Sequence, residues 1–130
     1  MEYPGYSIYP GEPTEDAILQ DIEPVWNFVT KIMNFENEDI LVMGRSIGSG
    51  PASHFASQNN CGALVLISAF TSLKCVTKYN FGSIASSLVN QRFDNQAKMP
   101  FVKCPCLFIH GKEDTLIPFE QSKLLYSRYR

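Results

Sequence analysis

A serine lies at the centre of the glycine-flanked pentapeptide Gly44-Arg45-Ser46-Ile47-Gly48. The pentapeptide follows the apolar run 40–43 and precedes a stretch of small residues, as expected for a strand, a tight turn and a helix. A serine on such a turn projects its hydroxyl away from the sheet, and the flanking glycines avoid Cβ clashes. The pattern therefore predicts a nucleophile elbow. Ser46 would attack an acyl carbonyl, and the backbone amide of Ile47 would donate to the oxyanion.

The elements that must position this turn alternate along the chain. Apolar runs without polar alternation at 40–43, 63–67 and 106–109 are typical of parallel strands covered on both faces. Periodicity and capping signals predict three helices: one from a cap at Thr14 to about Met33 with a kink at Pro24, one from Ile47 to about Ser57, and one from Phe119 to Tyr129. Alternating strands and helices indicate an α/β fold.

A long connection from Ala69 to Lys103 separates the second and third strands. Its pattern suggests one helix near 83–89, and it carries the aromatic residues Phe70, Tyr79, Phe81, Phe93 and Phe101. Two roles are open to these aromatics. They could form a lid or line a pocket for an acyl group, or they could be ordinary core residues.

Composition restricts the class of protein. The chain has 130 residues, of which 45% are hydrophobic and 18% charged, and a net charge of -2. This length supports one hydrophobic core and hence a single domain, 1–130. No basic excess points to nucleic acid, and the sequence shows neither a membrane-spanning apolar stretch nor the pattern of a signal peptide. We therefore expect a cytoplasmic location.

The cysteines Cys61, Cys75, Cys104 and Cys106 could form two disulfides in a secreted protein. Without a signal peptide pattern, reduced and mostly buried thiols are the favoured alternative. The Cys104-Pro105-Cys106 spacing is too short for the usual zinc knuckle, and only two histidines could complete a site. We expect no metal and no cofactor.

Three segments carry a resemblance to a known family. Tyr3-Pro4-Gly5-Tyr6, Gly44-Arg45-Ser46-Ile47-Gly48-Ser49-Gly50 and Ile109-His110-Gly111-Lys112-Glu113-Asp114 occur in the order seen in α/β hydrolases. The chain resembles the α/β-hydrolase-domain depalmitoylases, which are palmitoyl-protein thioesterases, and serine aminopeptidase-type hydrolase-domain proteins. The resemblance implies a partial hydrolase fold, a mostly parallel sheet with flanking helices that lacks the N-terminal strands and the last strand and helix.

The resemblance places the acid of a catalytic triad at Asp114, in the loop after the strand that ends in His-Gly. A buried carboxylate there would orient a histidine and stabilise the imidazolium that forms when the serine loses its proton. An ordinary turn aspartate is the alternative, and Glu113 is the nearby alternative for the acid.

The histidine of this triad is not in the chain, because the family order is serine, acid, histidine, and no histidine follows Asp114. His110 belongs to the strand-end motif and is expected to make structural hydrogen bonds, and His54 lies in the helix after the elbow, pointing elsewhere. The family histidine would lie beyond Arg130. The resemblance likewise gives no counterpart here for the loop that supplies a second oxyanion donor.

These gaps bear on activity, because an oxyanion donor is worth about 10² to 10³ in rate and the base of a serine triad about 10⁶. The chain alone is expected to be nearly inactive. Either it is a fragment or truncated gene model of a longer hydrolase, or it is a degenerate hydrolase kept as a protein-binding or assembly subunit. The strand missing beside the elbow would leave an open sheet edge, which invites aggregation or a partner.

For the full-length form, the resemblance implies a serine hydrolase acting on ester or thioester bonds through an acyl-enzyme on Ser46. Its substrate would be an acyl ester or thioester, for example a lipidated protein. Peripheral association of the full-length protein with membranes is a further possibility. A partner subunit belongs to the non-catalytic alternative.

Overall fold

Three short strands form one parallel sheet. The computed structural model describes residues 2–129. Within them, β1 (Leu41–Arg45), β2 (Ala63–Ile67) and β3 (Cys106–Ile109) lie in the order β1-β2-β3. The predicted α/β class and the three strand positions are confirmed, with β1 shifted by one or two residues. Because parallel strands end at the same edge, the loops that follow the three strands meet at the carboxyl edge of the sheet.

Six α-helices surround or flank the sheet in the described part of the chain. They are α1 (Glu15–Gln20), α2 (Ile22–Asn27), α3 (Ser49–Gln58), α4 (Leu73–Ser87), α5 (Asn95–Lys98) and α6 (Phe119–Arg128). A π-helical turn spans Phe28–Ile32, and 3₁₀ turns span Asn37–Asp39, Ser46–Gly48 and Met99–Phe101. The helices predicted after the elbow and at the end of the chain are therefore present.

One face of the sheet carries the main core. Ala52 and Ala56 of α3 cluster there with Leu64 and Leu66 of β2 and with Leu125 of α6. Both leucines of β2 are 0% exposed. At about 1.5–3 kcal/mol for each fully buried aliphatic side chain, this layer fixes the sheet against α3, the helix that follows the elbow.

The opposite face of the sheet is largely open. Its outer side chains Leu41, Met43, Leu107 and Ile109 are 46–64% exposed. The prediction of strands covered on both faces is wrong for residues 2–129, because α3 and α6 both pack on the other face. The unalternating apolar runs correctly indicated strands, but their composition does not tell which face is covered.

The first predicted helix is broken at Asp21 and not at Pro24. Thr14 caps α1 by accepting a hydrogen bond from the Ala17 amide at 3.2 Å, as expected. A proline ring clashes with the carbonyl four residues earlier, here Gln20, so the chain breaks just after Gln20 and Pro24 falls in the first turn of α2.

The apolar stripe of this first helical region packs only in part. The rings of Trp26 and Phe55 of α3 lie 4.6 Å apart between centroids. Val25, Ile32 and Met33 are 47–69% exposed, so the expected packing of the whole stripe on a sheet is wrong. Of these three, Val25 lines a cavity together with residues of β1.

The connection between β2 and β3 is more helical than predicted. The helix expected near 83–89 begins at Leu73, because the Ser72 hydroxyl caps it by accepting from the Cys75 amide at 3.2 Å. It kinks at Gly82, whose φ is 84°. Phe70 and Phe93 are core residues, 1% and 4% exposed, whereas Tyr79, Phe81 and Phe101 are 60–74% exposed.

The four cysteines are free thiols in the structure. Burial is the main cause that raises the pKa of Cys61 and of Cys106 to about 12, so neither ionises at neutral pH. Within residues 2–129, no group of three or more histidine, cysteine, aspartate or glutamate side chains could hold a metal ion. The helices in that part of the chain are all too short or too polar to cross a bilayer.

Candidate active site

Ser46 lies in a strained turn between β1 and α3. Its φ is 51°, in the left-handed region that non-glycine residues rarely adopt. Arg45 before it is still extended, and the 3₁₀ turn Ser46–Gly48 leads directly into α3. The turn therefore brings Ser46 to the carboxyl edge of the sheet, at the start of a helix.

Gly44, two residues before Ser46, permits the close approach of the helix. A Cβ on Gly44 would overlap the carbonyl oxygen of Gly48 and lie 2.7 Å from the Cβ of Ala52. No real Cβ comes so close to another atom, so only glycine fits between the end of β1 and the first turn of α3. This is the close packing that the glycine-flanked pattern predicts.

The backbone amide of Ile47 belongs to the first turn of the continuous helical stretch 46–58. The first amides of a helix have no carbonyl partner within the helix and point outward from its N-terminus. At that end the helix dipole also favours negative charge. The Ile47 amide is therefore suited to an oxyanion that develops beside Ser46.

Asp114 lies in the loop after β3, at the same edge of the sheet. Its Oδ1 accepts hydrogen bonds from the amides of Ile117, at 2.9 Å, and Leu116, at 3.0 Å. The bond from Ile117 is the largest cause that lowers the pKa of the carboxyl, with help from Leu116, His110 and the Ser68 side chain, and together they outweigh desolvation. Asp114 is thus an ionised carboxylate whose Oδ1 is held by two backbone amides.

Ser68 is a residue that the sequence reasoning missed. It directly follows β2, between the strands that carry Ser46 and Asp114. Its φ is 46°, its amide donates to the Ile109 carbonyl at 2.8 Å, and its side chain is among the groups that lower the pKa of Asp114. Its position at the end of the second apolar run was the signal that could have identified it.

His110 is committed to structural contacts. Its side chain is 1% exposed, and its Nε2 lies 2.8 Å from the Ile117 carbonyl and 3.5 Å from Asp114 Oδ2. A carbonyl only accepts, so Nε2 carries the hydrogen, and Nδ1 pairs with the Ser122 hydroxyl at 2.6 Å. Because both nitrogens are engaged, His110 is not free to take a proton from Ser46.

His54 lies on α3, two turns beyond the elbow, and does not join Ser46. It lines a separate cavity of about 660 Å³ together with Trp26 and Gln58. Burial is the main cause that lowers its pKa, and Lys98 adds to the effect. The structure therefore brings Ser46, Ile47 and Asp114 to one edge, and neither histidine joins them as a base.

A second cavity, of about 630 Å³, runs along the free edge of β1. Mostly apolar side chains of the first helical region, β1 and α3 line it, with Tyr3 at one end. Within residues 2–129, β1 pairs only with β2, so the edge predicted to be open is open.

The sequence was also compared with models of protein families. The serine hydrolase (FSH1) family matches residues 11–130, which is most of the chain. The chain belongs to this serine hydrolase family. The assignment agrees with a fold in which a glycine-flanked serine follows the apolar strand β1.

Two proteins similar to this chain show the same resemblance. The Caenorhabditis elegans alpha/beta hydrolase domain-containing protein aho-3 is 32% identical over 127 residues, which cover 98% of this chain and 37% of that protein. The human alpha/beta hydrolase domain-containing protein 17B is 31% identical over 127 residues, covering 98% of this chain and 43% of its own length. The chain thus spans about two fifths of the length of these relatives.

Solved structures support the fold of this chain. A Pyrococcus horikoshii acylaminoacyl peptidase aligns with a TM-score of 0.68 at 20% identity, covering 87% of this chain and 21% of that chain. The esterase domain of a Rhodothermus marinus protein aligns with a TM-score of 0.66 at 15% identity, covering 86% and 53%. The partial α/β-hydrolase fold implied by the resemblance is confirmed.

Proposed function

We propose that this chain carries the nucleophile and the acid of a serine hydrolase that acts on ester or thioester bonds. The observation that carries the proposal is the backbone of Ser46, held in the left-handed region at the carboxyl edge of the sheet by the packing of α3 on Gly44. A protein retains strain of this kind where the surrounding structure imposes it, and such strain clusters at active sites.

In the proposed reaction, the Ser46 hydroxyl oxygen attacks the acyl carbonyl as its proton passes to a histidine supplied from outside residues 2–129. The Ile47 amide donates to the oxyanion, and the Asp114 carboxylate accepts the other imidazole hydrogen. The alcohol or thiol leaves with the proton, and water then releases the acyl group from Ser46. Ser46 follows β1 and Asp114 lies in the loop after β3, with β2 between these two strands, so both residues lie at the carboxyl edge of the sheet without being on neighbouring strands.

A fatty acyl thioester, such as that of a lipidated protein, is the substrate class that we favour. The support is the resemblance to depalmitoylases together with the second half of α4 and the residue that follows it, where Phe81, Ile84 and Leu88 are 74–85% exposed. An exposed apolar ridge of this kind suits an acyl chain or a membrane surface, and it gives the connection 69–103 a lid role. The proposal includes a cytoplasmic location with peripheral attachment to membranes.

A non-catalytic, partner-binding subunit is the second candidate. The observation that favours it is the combination of an unpaired β1 edge with a largely open sheet face. Such surfaces bind other strands or protein segments. The absence of an available histidine among residues 2–129 also fits this alternative.

Hydrolysis by the native gene product separates the two candidates. The protein would be tagged in its source cells, purified, and assayed with a palmitoyl thioester, a short-chain ester and an aminoacyl anilide. Ser46→Ala should reduce thioester hydrolysis to background, a loss of up to about 10⁶-fold, whereas Ser127→Ala, an exposed serine on α6, should act like the wild type. A folded native protein without Ser46-dependent hydrolysis, recovered with a stoichiometric partner, would support the second candidate. Preferential cleavage of the anilide would make it a peptidase.

A further inference from the structure

A buried amide from the connection 69–103 reaches the elbow. Asn95, at the start of α5, is 1% exposed, and its Nδ2 donates to the Phe70 carbonyl at 2.9 Å and to the Ser49 hydroxyl oxygen at 3.2 Å. A carbonyl oxygen can only accept, so the contact with Phe70 fixes which end of the amide carries the nitrogen. Both Nδ2 hydrogens are thereby used. The Asn95 Oδ1 is buried without a partner among residues 2–129, so the bonds made by the nitrogen determine the placement of this side chain.

Ser49 links Asn95 to the backbone of Ser46 through a second hydrogen bond. Its hydroxyl oxygen lies 2.6 Å from the backbone carbonyl oxygen of Ser46, and its side chain is fully buried. A serine hydroxyl has one hydrogen. Because Asn95 donates to the Ser49 oxygen, that hydrogen is directed to the Ser46 carbonyl. The three groups form a chain of donors with a single direction, from Asn95 through Ser49 to Ser46.

The carbonyl of Ser46 and the amide of Ile47 are two ends of one peptide unit. The unit is planar and trans, so its C=O and N–H bonds point in opposite directions. Holding the carbonyl against Ser49, inside the start of α3, therefore aims the Ile47 N–H outward. This N–H is the one that the proposed reaction uses for the oxyanion.

The segment before Asn95 is itself locked onto the elbow helix. Phe93 has a φ of 47°, its amide donates to Glu15 Oε1 at 3.0 Å, and its ring lies against Gly50 so closely that a Cβ there would overlap it. Asp94 caps α5 by accepting from the Ala97 amide at 3.1 Å. The contacts of Phe93 and the cap formed by Asp94 thus hold Asn95 in place beside Ser49.

We propose that Asn95 is a positioning residue that acts through Ser49 to orient the Ile47 amide for oxyanion binding. The inference rests on the proposed function, because an oriented amide matters to the chemistry only if Ser46 is acylated. It gives the connection between β2 and β3 a role inside the protein, in addition to any contact with substrate.

The test uses Asn95→Ala, Ser49→Ala and the double variant, with the exposed Asn90→Ala as matched control. In the 130-residue chain, NMR would measure hydrogen exchange of the residue-49 amide, which donates to the Ser46 carbonyl. In the native gene product, a fluorophosphonate would label Ser46. The binding constant of this reagent and the rate at which it bonds to Ser46 would be measured separately. Each single variant should speed exchange and slow bond formation about three- to tenfold without weakening reagent binding, as expected for loss of one hydrogen bond.

The double variant decides whether the residues act in series. If Asn95 acts only through Ser49, the double variant should match Ser49→Ala, and Asn90→Ala should match the wild type. The inference would be overturned if the effects of the two single variants multiplied in the double variant. It would also be overturned if Asn95→Ala left exchange and bond formation unchanged, or altered only reagent binding. If Asn95→Ala does not fold, Asn95→Leu keeps the volume and removes the same donors. If the wild type is not labelled at Ser46, the proposed function fails, while the exchange rates still decide whether Asn95 holds the elbow.

Discussion

At the scale of single residues, Ser46 is one of the strained positions of the chain. Left-handed backbone costs a non-glycine residue about 1–2 kcal/mol. Ser46 keeps this conformation at a position where glycine would relieve it, with Gly44 and Gly48 close by. The retained serine is explained if its hydroxyl is needed.

Replacement of Ser46 should therefore separate stability from chemistry. We expect Ser46→Gly to be more stable than Ser46→Ala by about 1 kcal/mol, because only glycine is free of strain at this φ. Urea denaturation of the two variants measures the difference in the free energy of unfolding. Equal stability of the two, or a more stable alanine variant, would show that the elbow is not strained.

The charge of Asp114 should contribute stability in a defined pH window. Its pKa in the folded protein is lowered, chiefly by the Ile117 amide, so the contribution is present above the ordinary carboxyl pKa and is lost as pH falls through the lowered value. Asp114→Asn keeps the shape and the acceptor without the charge. We expect it to unfold at lower urea concentration than the wild type at pH 7, with a difference that shrinks towards about pH 3.

The exposed Glu113→Gln removes one charge from the same loop and is the matched control for this pH series. A difference between wild type and Asp114→Asn that stays constant from pH 7 down to about pH 3 would contradict the stated origin of the effect.

At the scale of elements, the elbow depends on how closely α3 approaches β1. Gly44→Ala would place a Cβ against the Gly48 carbonyl and 2.7 Å from the Ala52 Cβ. We expect a loss of about 1–3 kcal/mol in the free energy of unfolding, because the helix start must shift. Gly111→Ala, whose Cβ would have no atom within 4 Å, should change it much less. Similar losses for both would contradict the packing argument.

The sequence predicted the elements whose signals are local. The apolar runs predicted the strands. The glycines around Ser46 predicted the turn, because only glycine fits where α3 approaches β1. The first helix was misjudged because the clash of Pro24 acts one turn earlier, at Gln20. Ser68 and Asn95 were missed because their signals join residues distant in sequence. These signals are the effect of Ser68 on the pKa of Asp114 and the hydrogen bond from Asn95 to Ser49.

At the scale of the whole molecule, the sheet is covered on one face only in the described structure. The exposed side chains of β1 and β3 lie on the same open face, and those of β1 also border its unpaired edge. The sequence predicted the open edge but not the open face. The apolar composition of a strand is the same whether a helix of this chain or another segment covers it.

We expect the 130-residue chain to self-associate through this edge. Lysine on an edge strand opposes edge-to-edge pairing, so Met43→Lys, at a side chain that is 64% exposed, should lower the apparent mass at high concentration. Sedimentation equilibrium measures it, and Ser127→Lys on α6 adds the same charge away from the sheet. If the two variants associate equally, the β1 edge is not the contact.

The most direct test of the account is to trap the acyl-enzyme on the native gene product. The protein would be mixed with a palmitoyl thioester, quenched in acid within its first turnover, digested, and analysed by mass spectrometry beside Ser46→Ala. The account predicts one acyl group on the peptide that contains Ser46 and none on the variant. An acyl group on another residue, or thioester hydrolysis that persists in Ser46→Ala, would contradict it.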